Sequence, residues 1–119
     1  MKNKYKYFLI APVRGISDAW LETEQAEVAF HEKNGDKVYW PLRDTNQDAL
    51  EISICKENYE AMRQSENVLV MWDGHSQGCL FDLGMAYAMG KKILAVTGRT
   101  PRMTSGKSFA NLIFALQEE

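Results

Sequence analysis

The residues with the most chemistry in their spacing lie between Asp73 and Gly90, which read DGHSQGCLFDLGMAYAMG. Ser76-Gln77-Gly78-Cys79 leads into a stretch patterned as a helix. A helix start offers unpaired N–H groups and a partial positive charge, so it suits an anion such as phosphate. Ser76 would add a hydroxyl there, and Gly78 would let the backbone approach closely. Asp82 follows about one turn into the helix, where the dipole would keep it ionised. An ionised carboxylate facing a crevice can serve as a nucleophile or as an electrostatic partner. The plainer reading of Asp82 is an ordinary acid near a helix start.

Other candidates each carry a similar pair of readings. Trp72 and Asp73 close the preceding apolar run and could frame a flat ring; Trp72 could equally cap a core. His75 could donate to a phosphate or a base, though a lone loop histidine is more often solvated. Arg99, Arg102 and Lys107 form a positive group that suits phosphate, or is simply exposed. Tyr5 and Tyr7 alternate onto one face of a strand and read as core or sheet surface. Trp20, Phe30 and Trp40 read as packing residues. Thr104-Ser105-Gly106-Lys107-Ser108 ends like a phosphate-binding P-loop, but position 101, where the first glycine is needed, is Pro101. No GxGxxG follows the first strand, so a dinucleotide fingerprint is absent. Cys55 and Cys79 stand far apart, and with His31 and His75 they show no metal-ligand spacing, so no metal site is expected.

The elements that must position these residues alternate. Tyr5–Ala11 reads as a strand ended by Pro12 and Gly15. Ser17 or Asp18 can cap a helix running to Asn34-Gly35. Lys37–Trp40 is a short strand closed by Pro41, and 44–48 is a polar loop with several possible caps. Ala49–Ser65 is a second helix. Asn67–Trp72 is a continuous apolar strand of the kind buried on both faces in a parallel sheet. Cys79–Met89 is a third helix, Lys92–Thr97 a fourth strand and Ser108–Gln117 a closing helix. The order βαβαβαβα implies an α/β, three-layer αβα, flavodoxin/Rossmann-like fold with a four- to five-stranded parallel sheet. In such sheets ligands bind beyond the carboxyl ends of the strands. That rule selects loops 12–18, 41–48, 73–78 and 98–107.

Composition narrows the class. The 119 residues are 45% apolar and 25% charged, with a formal net charge of -2, which fits one globular domain spanning 1–119. A pI near 5.7 argues against a broad basic face for a nucleic acid polymer. No apolar run reaches the roughly 18 residues that a membrane span needs, so no membrane partner is expected. The lysine-bearing start, Met1–Tyr7, precedes too short an apolar core for a signal peptide. Two unpaired thiols fit a cytoplasmic protein.

Asp73 to Val96 resembles the signature of the nucleoside 2-deoxyribosyltransferase superfamily, which includes the 2'-deoxynucleoside 5'-phosphate N-hydrolases. Phe81-Asp82-Leu83-Gly84 and Gly90-Lys91-Lys92-Ile93 occupy the signature's places. Phe8 to Gly15 is similar to the first strand and loop of the hydrolase branch, and Ser105-Gly106-Lys107 resembles its last loop. The resemblance implies cleavage or transfer of an N-glycosidic bond in a nucleoside or nucleoside 5'-monophosphate. A carboxylate would attack the anomeric carbon through an oxocarbenium-like transition state, as in retaining glycosidases. By position Asp82 would be the nucleophile. Pro12, Arg14, Gly15, Ser17, Asp73, Ser76, Gly78 and Lys107 would hold sugar, base or phosphate. No cofactor is implied, and family members are usually homo-oligomers in which a neighbouring subunit closes the site.

Two positions depart from the pattern. The family's nucleophile is normally Glu, one methylene longer than Asp82. Its orienting Asp on the second helix falls, by counting, on Tyr59, with Glu60 beside it. These departures motivate a rival reading, a catalytically degenerate protein that binds a nucleotide or related metabolite without turning it over.

Overall fold

The structure, a computed structural model, describes residues 3–119, so Met1 and Lys2 of the lysine-bearing start lie outside the described residues. Four strands form one parallel sheet: β1 (Tyr5–Ile10), β2 (Val38–Tyr39), β3 (Ser65–Val70) and β4 (Lys92–Ala95). Their spatial order is β2-β1-β3-β4, with Phe8 opposite both Tyr39 and Val68, and Val68 opposite Ile93. The helices are α1 (Asp18–Lys33), α2 (Pro41–Asp44), α3 (Glu51–Arg63), α4 (Gln77–Ala88) and α5 (Phe109–Gln117).

Alternation along the strands divides the core into two layers. Phe8, Ile10, Val68, Val70 and Ile93 point to one face, where Ala61 and Met62 of α3, Leu83 and Ala86 of α4, and Ala110 and Ile113 of α5 cover them. Leu9, Leu69 and Met71 point to the other face, packed with Val28, Trp20 and Leu21 of α1. The result is the expected three-layer α/β arrangement. At its middle, Phe8, Leu9, Ile10 and Val68 are wholly buried.

Several local expectations change. Pro41 opens a one-turn helix rather than a loop; proline suits this first position because its missing N–H would be unpaired anyway. Asp44 turns back to accept the Trp40 N–H at 2.9 Å. None of the polar residues at 44–48 caps α3, whose N-cap is Leu50, without a side-chain bond. Tyr5 and Tyr7 do not share a face. The Lys6 and Tyr7 N–H groups both reach the Lys37 carbonyl, which breaks the alternation. Tyr5 then packs edge-on against Tyr39, while Tyr7 lies beside His31 of α1. Phe30 is 61% exposed rather than packed, because it falls on the outer face of α1.

One outward backbone donor of β4 is paired by a side chain. The Ala95 N–H points away from β3 and donates to Gln117 Oε1 of α5 at 2.6 Å.

The chain leaves β1 toward one side of the sheet and β3 toward the other. The carboxyl ends of these two neighbours therefore flank a crevice, the place where open α/β sheets hold ligands.

Candidate active site

The loop after β3 is wired to itself. Asp73 Oδ1 accepts the N–H groups of both His75 and Ser76 at 2.8 Å. The Trp72 indole N–H donates to the Ser76 carbonyl at 3.1 Å. Gly74 has φ 87°, and a Cβ there would lie 3.2 Å from Pro101 Cγ, so the turn requires glycine both for its conformation and for the close approach of the last loop. Ser76 is the N-cap of α4, its Oγ accepting the Cys79 N–H at 3.3 Å. The N–H groups at the very start of α4 are left for another acceptor.

A cavity of about 690 Å³ opens at this point. Its walls are Ala11, Val13, Arg14 and Gly15 from the loop after β1, Pro41 and Gln47 from the second loop, and Glu51, Cys55 and Asn58 from α3. Asp73, His75, Ser76, Gly78, Phe81 and Asp82 complete it from the third loop and α4. Three of the four loops selected by strand order thus meet here. The fourth, with Arg99, Thr100 and Pro101, lines a smaller cavity of about 380 Å³ with Trp20 and Trp72; Asp73 borders both cavities.

Burial pushes the Asp82 carboxyl up to about 7. The expectation that the helix dipole would keep it ionised is therefore corrected. Asp82 is the sixth residue of α4, beyond the first turn where the dipole acts, so loss of water dominates. Burial also pushes the Cys79 thiol up to about 12, so it is not a thiolate nucleophile at neutral pH. Among the described residues lining the cavity, Arg14 is the permanent cation and Glu51, Asp73 and Asp82 are the carboxyls.

Residues 12–113 match the nucleoside 2-deoxyribosyltransferase family. The chain belongs to that family. A comparison with curated proteins finds no match. The deoxyribosyltransferase family carries glycosyl-transfer chemistry, and the match runs through all three loops that build the cavity.

With the deoxyribosyltransferase fold in place, the residues expected at the site separate into two sets. Arg14, Gly15, Asp73, Ser76, Gly78 and Asp82 line the cavity together. Pro12, Ser17, Lys107, Tyr59 and Glu60 do not. Pro12 is buried beneath the first loop. Ser17 spends its hydroxyl oxygen as the N-cap of α1, accepting the Trp20 N–H at 3.1 Å. Lys107 is exposed on the last loop. Tyr59 is 49% exposed, and Glu60 faces outward to Arg63, whose hydrogen bonds hold its carboxyl down at about 2. The helix is rotated by one position from the count: Asn58, 8% exposed, lines the cavity where Tyr59 was expected. The buried spacing Asn58, Ala61, Met62 was the available signal, since the i, i+3, i+4 stripe marks the inward face. Gln47, Glu51 and Cys55 were also missed; nothing in their spacing sets them apart from surface residues.

Proposed function

We propose that this chain cleaves or transfers the N-glycosidic bond of a nucleoside or nucleoside 5'-monophosphate, with Asp82 as the nucleophile. The observation that carries the reading is the Asp82 carboxyl in the cavity at the strand-order switch point, which Arg14 and the start of α4 also line. An Asp82 oxygen attacks the anomeric carbon, and the carbon–nitrogen bond breaks with its electron pair leaving on the base. Water then hydrolyses the glycosyl ester, or a second base takes its place. Arg14 and the N–H groups before Cys79 suit a 5'-phosphate, with Ser76 and Gly15 beside them. Asp73 shapes the third loop. The chain is read as one catalytic domain acting in the cytoplasm without a cofactor.

Release of free base from 2'-deoxynucleoside 5'-monophosphates and their nucleosides tests this. Turnover is expected, and Asp82→Asn should reduce it by at least about a thousandfold, as loss of a nucleophile does. Turnover that survives Asp82→Asn would overturn the assignment. The second reading, binding without turnover, draws on the short reach of Asp82. A nucleotide that binds at full occupancy and survives incubation intact would favour it.

Leu50, Ile52 and Phe81, between 55 and 71% exposed, stand beside the cavity mouth. An apolar rim of this kind fits a homo-oligomer whose neighbouring subunit closes the site.

A further inference from the structure

Behind the cavity wall runs a chain of three hydrogen-bonding side chains, of which Asn58 reaches the cavity. The Tyr39 hydroxyl lies 2.6 Å from Thr45 Oγ1, and Thr45 Oγ1 lies 2.6 Å from Asn58 Oδ1. All three residues are buried, at 5%, 5% and 8% exposure. The chain has a direction. Among the described residues the Tyr39 hydroxyl has no other partner than Thr45, so its proton can be used only if it points there. The opposite direction would leave a buried donor unpaired, whereas an unused lone pair is better tolerated. Tyr39 therefore donates, and Thr45 accepts and passes its own proton to the amide oxygen of Asn58. That occupies the Asn58 oxygen and fixes which end of the amide is left over. The amide nitrogen has no hydrogen-bond partner among the described residues, and Asn58 lines the cavity. The cavity wall thus presents a group that donates and does not accept.

We propose that Asn58, oriented by Tyr39 and Thr45, is a specificity residue that donates to the nucleobase, favouring a keto oxygen over an amino group at the ring position it meets. The inference rests on the proposed function. With the sugar at Asp82 and phosphate at Arg14 and α4, the α3 wall, with Pro41 and Gln47 next to it, is left for the base. Sugar hydroxyls donate as well as accept and would not discriminate. An exocyclic amino group would set donor against donor and leave the amide unpaired, which is how a polar site rejects the wrong ligand.

The test compares deoxyuridine with deoxycytidine 5'-monophosphate, and deoxyinosine with deoxyadenosine 5'-monophosphate, by calorimetric binding. The keto member of each pair is expected to bind about tenfold more tightly, the scale of one lost hydrogen bond with its donor left buried. Asn58→Asp keeps an acceptor for Thr45 and turns a second acceptor to the cavity, so the ranking should invert. Tyr39→Phe removes the proton that sets the direction, so the ratio should fall toward one while both members still bind. A merely structural role would weaken both members alike and leave the ratio unchanged. Equal binding within each pair, an amino preference in the native chain, or an unchanged ranking in Asn58→Asp would overturn the inference while the proposed function stands. No binding of any of the four, nor of the corresponding nucleosides, would overturn both.

Discussion

In the reaction proposed above, Asp82 sets the pH at which the site can work. A nucleophile must be ionised, and burial holds this carboxyl near 7. Below that pH most molecules carry a protonated, unreactive acid. We expect kcat/KM to rise about tenfold per pH unit up to about 7 and then level off, read from initial rates with a nucleoside substrate. A flat profile between pH 5 and 8 would mean that Asp82 does not take part as a carboxylate. Neighbouring serines also separate by role. Ser17→Ala should cost about 1 kcal/mol of stability through the lost cap of α1 and leave substrate affinity alone. Ser76→Ala should cost a similar amount and weaken nucleotide binding too, since its hydroxyl lies on the cavity wall. Chemical denaturation and calorimetry on the two variants distinguish these outcomes.

Glu24 shows how α1 and the end of β2 are joined. It is wholly buried, and its Oε1 accepts the Trp40 indole N–H at 2.9 Å while Oε2 has no partner among the described residues. Burial raises its carboxyl from 4.5 to about 7 against the opposing effect of the Trp40 bond. The unfolded chain loses this proton near 4.5 and the folded chain near 7. Stability from this group is therefore full below about 4.5 and declines as pH rises through 7. Glu24→Gln keeps an acceptor for Trp40 and abolishes the titration. It should raise the melting temperature at pH 8 by several degrees, worth up to about 3 kcal/mol, and leave it nearly unchanged at pH 4. Equal melting temperatures at pH 8 would show that burial does not raise the Glu24 carboxyl. The sequence announced α1, β3 and α4 well, because their apolar runs are continuous or closed by Ser17, Ser76 and Gly90. It concealed α2, since a single turn has no periodicity to read. It misplaced the inward residue of α3 because counting from β3 gives a position along the helix, whereas the face follows from which residues the sheet covers. Glu24 was invisible for a related reason: nothing in a run of surface-type residues distinguishes the one acid that the tertiary fold encloses.

Across the molecule, the fold class and the third loop could be read from alternation and from Ser76, Gly78 and Asp82, whereas the cavity itself could not. Its walls come from stretches as distant as Ala11, Gln47, Asn58 and Asp82, and only strand order brings them together. The exposed rim of Leu50, Ile52 and Phe81 is where the proposed second copy would meet the site. Ile52→Asp, a residue outside the main cavity, should shift the protein toward monomers in sedimentation and lower turnover without altering the far-ultraviolet spectrum. A native chain that sediments as a monomer at working concentration would remove the oligomer from the account. The Gln117 amide on Ala95 carries a different consequence. One side chain from the last turn of α5 occupies a donor on the β4 edge, and removing it would leave that donor open to a strand from another molecule.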